Sequence, residues 1–404
     1  MKSIELFVGA GGLGIGASMA GFKHIAVIER DQYACKTIRE NQRRGFPIVT
    51  SWPLFEDDIR HFKFSDLSES ADLISGGPPC QPFSLGGKHR GNLDDRDMFP
   101  EAVRAVREQQ PKAFVFENVK GLTRSSFSDY FRYICIQFEY PGIKIKKEES
   151  WFEHLARLEQ HTGSSREINL QYRVSTKILN SANYGVPQKR ERVFFVGFRS
   201  DLNIEWSFPE PTHSRDMLLF SKWVSGEYWE RHGISKKEIP EAPRSLSQKI
   251  RAMGKTCSSF EEQPWITVRD IISDLPDPET DKRARNISNH HFQSGARVYK
   301  GHTGSPLDEP AKTLKAGDHG VPGGENMLRR PDGSVRYFTV RESARLQAFP
   351  DEYIFNGTWT ETMRQLGNAV PVKLAETIFS SVKNKFKIAA NGKNKSVKNL
   401  AYAT

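Results

Sequence analysis

The sequence predicts an α/β fold: a parallel sheet of the doubly wound kind with helices on both faces, joined to a second, smaller and irregular lobe. Three observations carry this. From Ser3 to Gln110 short apolar runs alternate with helix-period segments, as βαβ units do. The first apolar run ends in glycines, as a strand feeding a tight turn into a helix does. Beyond Arg199 prolines cluster and apolar periodicity weakens, so the regular lobe is expected to end there.

The elements follow in order. "SIELFVG" (3–9) is a strand, "LGIGASMAGF" a helix and "HIAVIE" a second strand. "YACKTIRENQ" is a helix, "ADLISGG" a strand, "FPEAVRAVREQQ" a helix and "AFVFENV" a strand. "YRVSTKILN" and "RVFFVGF" (192–198) add two strands and close a first domain of residues 1–199. Within it, residues 124–168 carry "YFRYICIQFEY" and "WFEHLARLEQH", a helical insertion expected to serve packing. Residues 200–336, with "FPEPTH", "LPDPET" and "AGDHGVPGGEN", make the second lobe. Helical patterns return in "TVRESARLQAF" and "PVKLAETIFSSVKNKF", so residues 337–388 are expected to pack back onto the first lobe. The end of the chain, including residues 389–404, holds Lys383, Lys385, Lys387, Lys393, Lys395 and Lys398 without an acid, and is expected to be a solvated, disordered tail.

Composition sets the class. With 404 residues, 37% hydrophobic and 27% charged, the chain can bury a sizeable core. No apolar run approaches the roughly 18 residues a membrane span needs. The start, "MKSIELFVGAGG", has too short an apolar stretch for a signal peptide, so a cytoplasmic protein without a membrane partner is expected. The net charge of +10 favours a polyanionic partner without establishing one. Cys35, Cys80, Cys135 and Cys257 form no C-x-x-C pair, so neither a disulfide framework nor a metal site is expected.

The glycine turn is where ligand chemistry begins. Gly9, Gly11 and Gly12 let main-chain N–H groups approach a ligand at a helix start. Glu29 ends the next strand, where a carboxylate commonly accepts from ribose hydroxyls, and "DDI" (57–59) precedes the following one. Together they point to a nucleoside-bearing cofactor. No G-x-x-x-x-G-K-[ST] occurs, which argues against a P-loop nucleotidase.

The carboxyl edge of the sheet then gathers reactive groups. "GGPPCQPFSLGG" (76–87) holds Cys80 in a loop that prolines stiffen. A lone cysteine is most often a small buried hydrophobe, but a thiol aimed at a ligand edge is a candidate nucleophile. A cysteine hydrolase would need a histidine base, and neither His61 nor His89 stands in a recognisable signature. Glu117 and Asn118 follow the next strand and fall at the same edge, placing a carboxyl for proton transfer. "PQKRERVFF" adds Gln188, Arg190 and Arg192; arginines at spacing two face the same way and can hold a phosphate or a base.

F-x-G-x-G-G, an acid on the second strand, P-C-Q, E-N-V, Q-x-R-x-R, "RESARLQAFP" and "LGNAVP" succeed one another along the chain. In that order they resemble the DNA cytosine-5 methyltransferase family, over residues 3 to 382. The resemblance implies a Rossmann-like, S-adenosylmethionine-dependent methyltransferase sheet, with residues 200–336 as a target-recognition domain. It implies an enzyme that flips a cytosine out of double-stranded DNA and methylates C5. The absence of long extensions suggests the bacterial restriction-modification type, a monomer partnered functionally by a restriction endonuclease.

Residue by residue, the resemblance makes Cys80 the thiolate that attacks C6 and Glu117 the group that holds and protonates N3. Arg192 would contact the flipped base, and Arg190 a phosphate or the catalytic loop. Phe7, Gly9, Gly11, Gly12, Glu29, Asp58, Ile59, Pro79, Asn368 and Ala369 would bind the cofactor. Pro78, Asn118 and Gln188 would line the substrate side. "SLGGKHRGNLDDRDMF" resembles the family's mobile loop, with Gln81, Ser84, Arg90 and Arg96 as DNA contacts. Two features depart from the family pattern: the long 124–168 insertion, and "DDI" in place of the commoner G-D-I. The C-F-T signature of a related tRNA-modifying branch is missing, and a catalytically silent relative would be expected to lack Cys80 or Glu117.

Overall fold

The protein is described here by a computed structural model covering residues 1–79, 97–162, 170–256, 261–316 and 324–401. The first lobe runs β1 (Lys2–Leu6), α1 (Gly12–Met19), β2 (Lys23–Glu29), α2 (Gln32–Arg43), β3 (Leu54–Glu56) and β4 (Leu73–Gly76). It continues with α3 (Phe99–Gln109), β5 (Ala113–Val119), α4 (Ser128–Glu139), α5 (Trp151–Thr162), β6 (Tyr172–Asn180) and β7 (Glu191–Arg199). The seven strands form one sheet in the order β3-β2-β1-β4-β5-β7-β6. Strand order reverses between β1 and β4, and such a switch opens a ligand crevice at the strands' carboxyl ends.

The sheet differs from the expected parallel one at a single edge. β7 runs antiparallel to both β5 and β6. The link from Asn180 to Glu191 is shorter than the dozen or more residues a parallel crossover needs, so a reversal was the only arrangement open to it. The short edge strand β3 carried no apolar run strong enough to be anticipated.

β5 is apolar on both faces because both are covered. Phe114 and Phe116 pack with Ile4, Leu6 and Phe138 of α4, while Val115 joins the opposite core. α4 therefore covers the sheet directly, with Phe116 stacked on Phe138 at 5.0 Å between ring centroids. A carboxyl stands among the polar residues that interrupt this interior. Glu5 of β1 is fully buried, accepts a hydrogen bond from Ser75 Oγ on β4, and has no partner for Oε1 among the described residues. Burial pushes its carboxyl up to about 8.

The second lobe is a set of short pieces: β8 (His213–Ser214), α6 (Arg215–Trp223), α7 (Glu227–Arg231), α8 (Ser247–Thr256), β9 (Gln263–Pro264) and α9 (Val268–Ile272). Then come β10 (Ser305–Pro306), β11 (Met327–Arg329), β12 (Val335–Tyr337), α10 (Val340–Leu346), α11 (Trp359–Asn368) and α12 (Val372–Ala401). β10, β11 and β12 form a small sheet. A shared apolar core ties the lobes: Ile15, Val27 and Trp52 pack with Leu314, Phe338, Phe349 and Leu366. α12 lies along α1 and covers the sheet with Leu374 and Ile378. It continues to Ala401, where a disordered tail was expected; lysine and alanine are good helix formers, and no proline stops the helix. No helix of the described residues is long and apolar enough to cross a membrane.

Candidate active site

At the switch point the carboxyl ends of the strands surround a cavity of about 470 Å³. Its walls include Phe7, Gly9, Gly12, Glu29, Asp58 and Ile59, and also Pro78, Pro79, Glu117, Asn118, Arg192, Asn368 and Ala369. Residues expected on the cofactor side and residues expected on the base side thus line one space, of the size small-molecule sites occupy.

After Leu6 the chain turns sharply, with Phe7 at φ 53° and Gly9 at φ 55°. Phe7 holds a left-handed conformation that costs a non-glycine residue roughly 1–3 kcal/mol and is typically found at ligand sites. Gly11, at φ 97°, precedes α1 and turns the chain without lining the cavity. A Cβ on Gly12 would stand 2.3 Å from the Val370 carbonyl oxygen, so only glycine lets the Asn368–Val370 wall close onto the helix start.

The acid on β2 is already engaged. Glu29 accepts from Gly9 N–H at 2.8 Å on Oε2, and from Arg30 N–H at 2.9 Å and Asp31 N–H at 2.8 Å on Oε1. Burial raises its pKa and these N–H donors oppose the rise. The turn and the acid are therefore one rigid unit, with acceptor capacity remaining on Oε2. Arg60 clasps Asp58 through Nε at 2.9 Å and Nη2 at 2.6 Å, holding its carboxyl well below the usual range. Asp58 is therefore a permanent acceptor at the cavity wall.

The opposite end holds a buried carboxyl paired with a guanidinium. Glu117 accepts from Arg192 Nε at 2.8 Å and is nearly buried. Burial raises its pKa, while Arg192 and then Arg190 lower it. Asn118 Nδ2 donates to the Pro78 carbonyl at 2.9 Å, and Met98 N–H to the Pro79 carbonyl at 3.1 Å. The backbone just before Cys80 is thereby pinned at the cavity wall. Cys80, Gln81, Ser84, Arg90 and Arg96 lie outside the described residues. Cys35 offers a contrast: it is buried, and burial pushes its thiol up to about 12, where it is inert.

Besides Gly11, two residues expected at the site do not line the cavity. Arg190 is 1% exposed and donates through Nη1 to Leu314 O at 3.0 Å and through Nη2 to Gly367 O at 2.6 Å. It cannot reach a phosphate from there; it braces the cavity wall against the second lobe. Gln188, 0% exposed, accepts from Leu314 N–H at 3.0 Å and donates to Leu346 O at 3.2 Å. Its amide is consumed by this tie between lobes and does not line the cavity.

Arg30, Asp31 and Arg364 line the cavity without having been anticipated. Arg364 of α11 donates to Asp31 Oδ2 at 2.7 Å, while Asp31 Oδ1 caps α2. The signal was available for Arg364, which sits on the helix turn leading into "LGNAVP". Among the described residues no cluster of His, Cys, Asp or Glu could hold a metal.

Comparison with known proteins places these residues in context. Residues 1–148 and 157–384 match the family description "C-5 cytosine-specific DNA methylase". The chain is 31% identical to the Type II methyltransferase M.PspPI of Psychrobacter sp. (strain TA137), over 94% of this chain and 78% of that protein. It is also 31% identical to the Type II methyltransferase M.NgoMIV of Neisseria gonorrhoeae, over 93% and 95%. In fold it is similar to the S. pombe Dnmt2 methyltransferase, at 16% identity and TM-score 0.52 over 94% of this chain and 97% of that one. A putative DNA modification methyltransferase encoded within an E. coli prophage is similar in fold, at 22% identity and TM-score 0.52 over 96% and 99%.

Proposed function

The chain belongs to the C-5 cytosine-specific DNA methylase family, and we propose that it flips a target cytosine out of duplex DNA and methylates C5 through a covalent Cys80–C6 adduct. The observation that carries the proposal is the single cavity shared by the Glu29 turn and the Glu117–Arg192 pair. A methyl donor at one end and a base at the other would meet within it.

The cofactor end suits S-adenosylmethionine. Glu29 Oε2 has a free lone pair for a ribose hydroxyl, and Asp58 stays ionised to accept from an amine. The Gly12–Val370 approach brings main chain to the ligand. When bound, the cofactor supplies an electrophilic methyl group.

The protein's own groups do the rest. Cytosine C5 is a poor nucleophile, so the Cys80 thiolate adds to C6, forming the C6–S bond and shifting the ring's electrons toward C5 and N3. Glu117, whose burial favours the protonated form, gives its proton to N3 and accepts from the exocyclic amine. Arg192 donates to the base oxygen while holding Glu117 in place. After methyl transfer, with S-adenosylhomocysteine as the other product, the C5 proton passes to water, the C6–S bond breaks to return the thiolate, and N3 gives its proton back to Glu117. Arg190 positions the wall without touching the base. One chain supplies every group, so a monomer suffices. The Type II relatives favour a role in protecting DNA from a partner restriction endonuclease.

A duplex carrying 5-fluorocytosine, from which C5 cannot lose a proton, should form an S-adenosylmethionine-dependent covalent adduct that survives denaturing gels. Cys80→Ser should form none. An adduct with Cys80→Ser, or none with the parent across duplexes of random sequence, would exclude the mechanism.

A further inference from the structure

Just before Arg190 the chain forms an isolated parallel bridge, Gln188 to Ala311. Both residues are 0% exposed, so the next residues of the two segments, Lys189 and Lys312, turn to the outer side next to each other. The backbone fixes them there: Lys189 N–H donates to Ala311 O at 2.8 Å, and Thr313 Oγ1 donates to Lys189 O at 2.7 Å. Arg215, the first residue of α6, adds a third cation at the positive end of that helix.

Like charges side by side across a strand pair destabilise a fold. Here they are offset only in part: Glu309 acts favourably on Lys189, without an ion pair to it. The nearby acid, Glu309, is taken by the buried Lys222 at 3.1 Å. Among the described residues neither Lys189, Lys312 nor Arg215 has a carboxylate within ion-pair distance, and Lys312 Nζ donates only to Thr303 Oγ1 at 3.1 Å. Burial lowers the Lys189 pKa; Glu309 opposes the shift, and Arg215, Lys312 and Lys222 add to it. A repulsive cluster held this firmly is what an anion site looks like without its anion.

We propose that Lys189 and Lys312, with Arg215, form a phosphodiester-binding site that anchors the DNA backbone beside the base cavity. The inference rests on the DNA methyltransferase function proposed above. Lys189 stands three residues before Arg192, about 10 Å of extended chain. Phosphates along one strand are spaced at about 3.4 Å of helix axis, so the anchored group lies within a few nucleotides of the flipped base.

The test is binding to a poly(dA)·poly(dT) duplex, which offers phosphates but no cytosine, between 50 and 200 mM salt. Lys189→Gln and Lys312→Gln should each weaken binding and reduce the slope of log K against log[salt] by about 0.9. Without DNA both variants should melt at or above the parent's temperature, because repulsion is relieved. An unchanged salt slope overturns the proposal, as does a lowered melting temperature with parental binding, which would mark the lysines as structural. Methylation of a cytosine-containing duplex by the parent is scored separately, so failure of that activity remains distinct from failure of the phosphate site.

Discussion

Glu117→Gln is expected to lower kcat for methyl transfer by about two to four orders of magnitude, with the KM for S-adenosylmethionine little changed. Glutamine preserves the shape and can still accept from Arg192 and from the base amine, but it has no proton to give to N3. The parent should also show an alkaline limb. Burial raises the Glu117 pKa against the opposing Arg192 and Arg190 charges, so the group is an effective acid until rising pH removes its proton. The residual rate of Glu117→Gln should lack that limb. Single-turnover rates across pH, with both substrates saturating, check both points. A rate within a few-fold of the parent would remove Glu117 from the chemistry.

Glu5→Gln should change how stability depends on pH. In the native protein Glu5 keeps its proton up to about 8, while in the unfolded chain it ionises near 4.5. Between those values the native state binds more protons than the unfolded state, so this residue makes stability fall as pH rises. The loss is complete above pH 8 and amounts to roughly 4 to 5 kcal/mol at about 1.4 kcal/mol per unit. Glutamine does not titrate. Urea unfolding at pH 5.5, 7 and 8.5 should show the parent losing stability faster than the variant, with the gap widening at each step. Parallel curves would mean that Glu5 is already ionised in the fold. The site would feel such a change, because β1 runs directly into the Phe7–Gly12 turn.

Local signals were enough for most of the first lobe. Apolar runs bounded by glycine or proline marked β1, β2, β4 and β5, and the glycine turn, Glu29 and "ENV" located the cavity because open sheets gather ligands at their carboxyl edge. β7 shows where alternation misleads: a run of six apolar positions looks the same parallel or antiparallel, and only the short link from Asn180 reveals the reversal. Gln188 and Arg190 show a deeper limit. A polar side chain next to a cavity-lining arginine is equally compatible with ligand and interior, and its partners here, Leu314, Leu346 and Gly367, lie more than a hundred residues away. Gly367 itself packs against the Lys315–Ala316 backbone so closely that a Cβ would stand 2.2 Å from Ala316 N. No sequence pattern announces such a contact, because it depends on two backbones meeting.

The cavity's two ends imply one product, and nucleoside analysis identifies it most directly. Duplex DNA of mixed sequence, treated with the protein and S-adenosylmethionine carrying a labelled methyl group, is digested to nucleosides and separated. All label is predicted in 5-methyldeoxycytidine, and about a hundredth of it or less should appear when Glu117→Gln replaces the parent over the same short time. Label in N4-methyldeoxycytidine or N6-methyldeoxyadenosine would contradict the account, since attack by an exocyclic amine needs neither a thiolate at C6 nor a proton for N3.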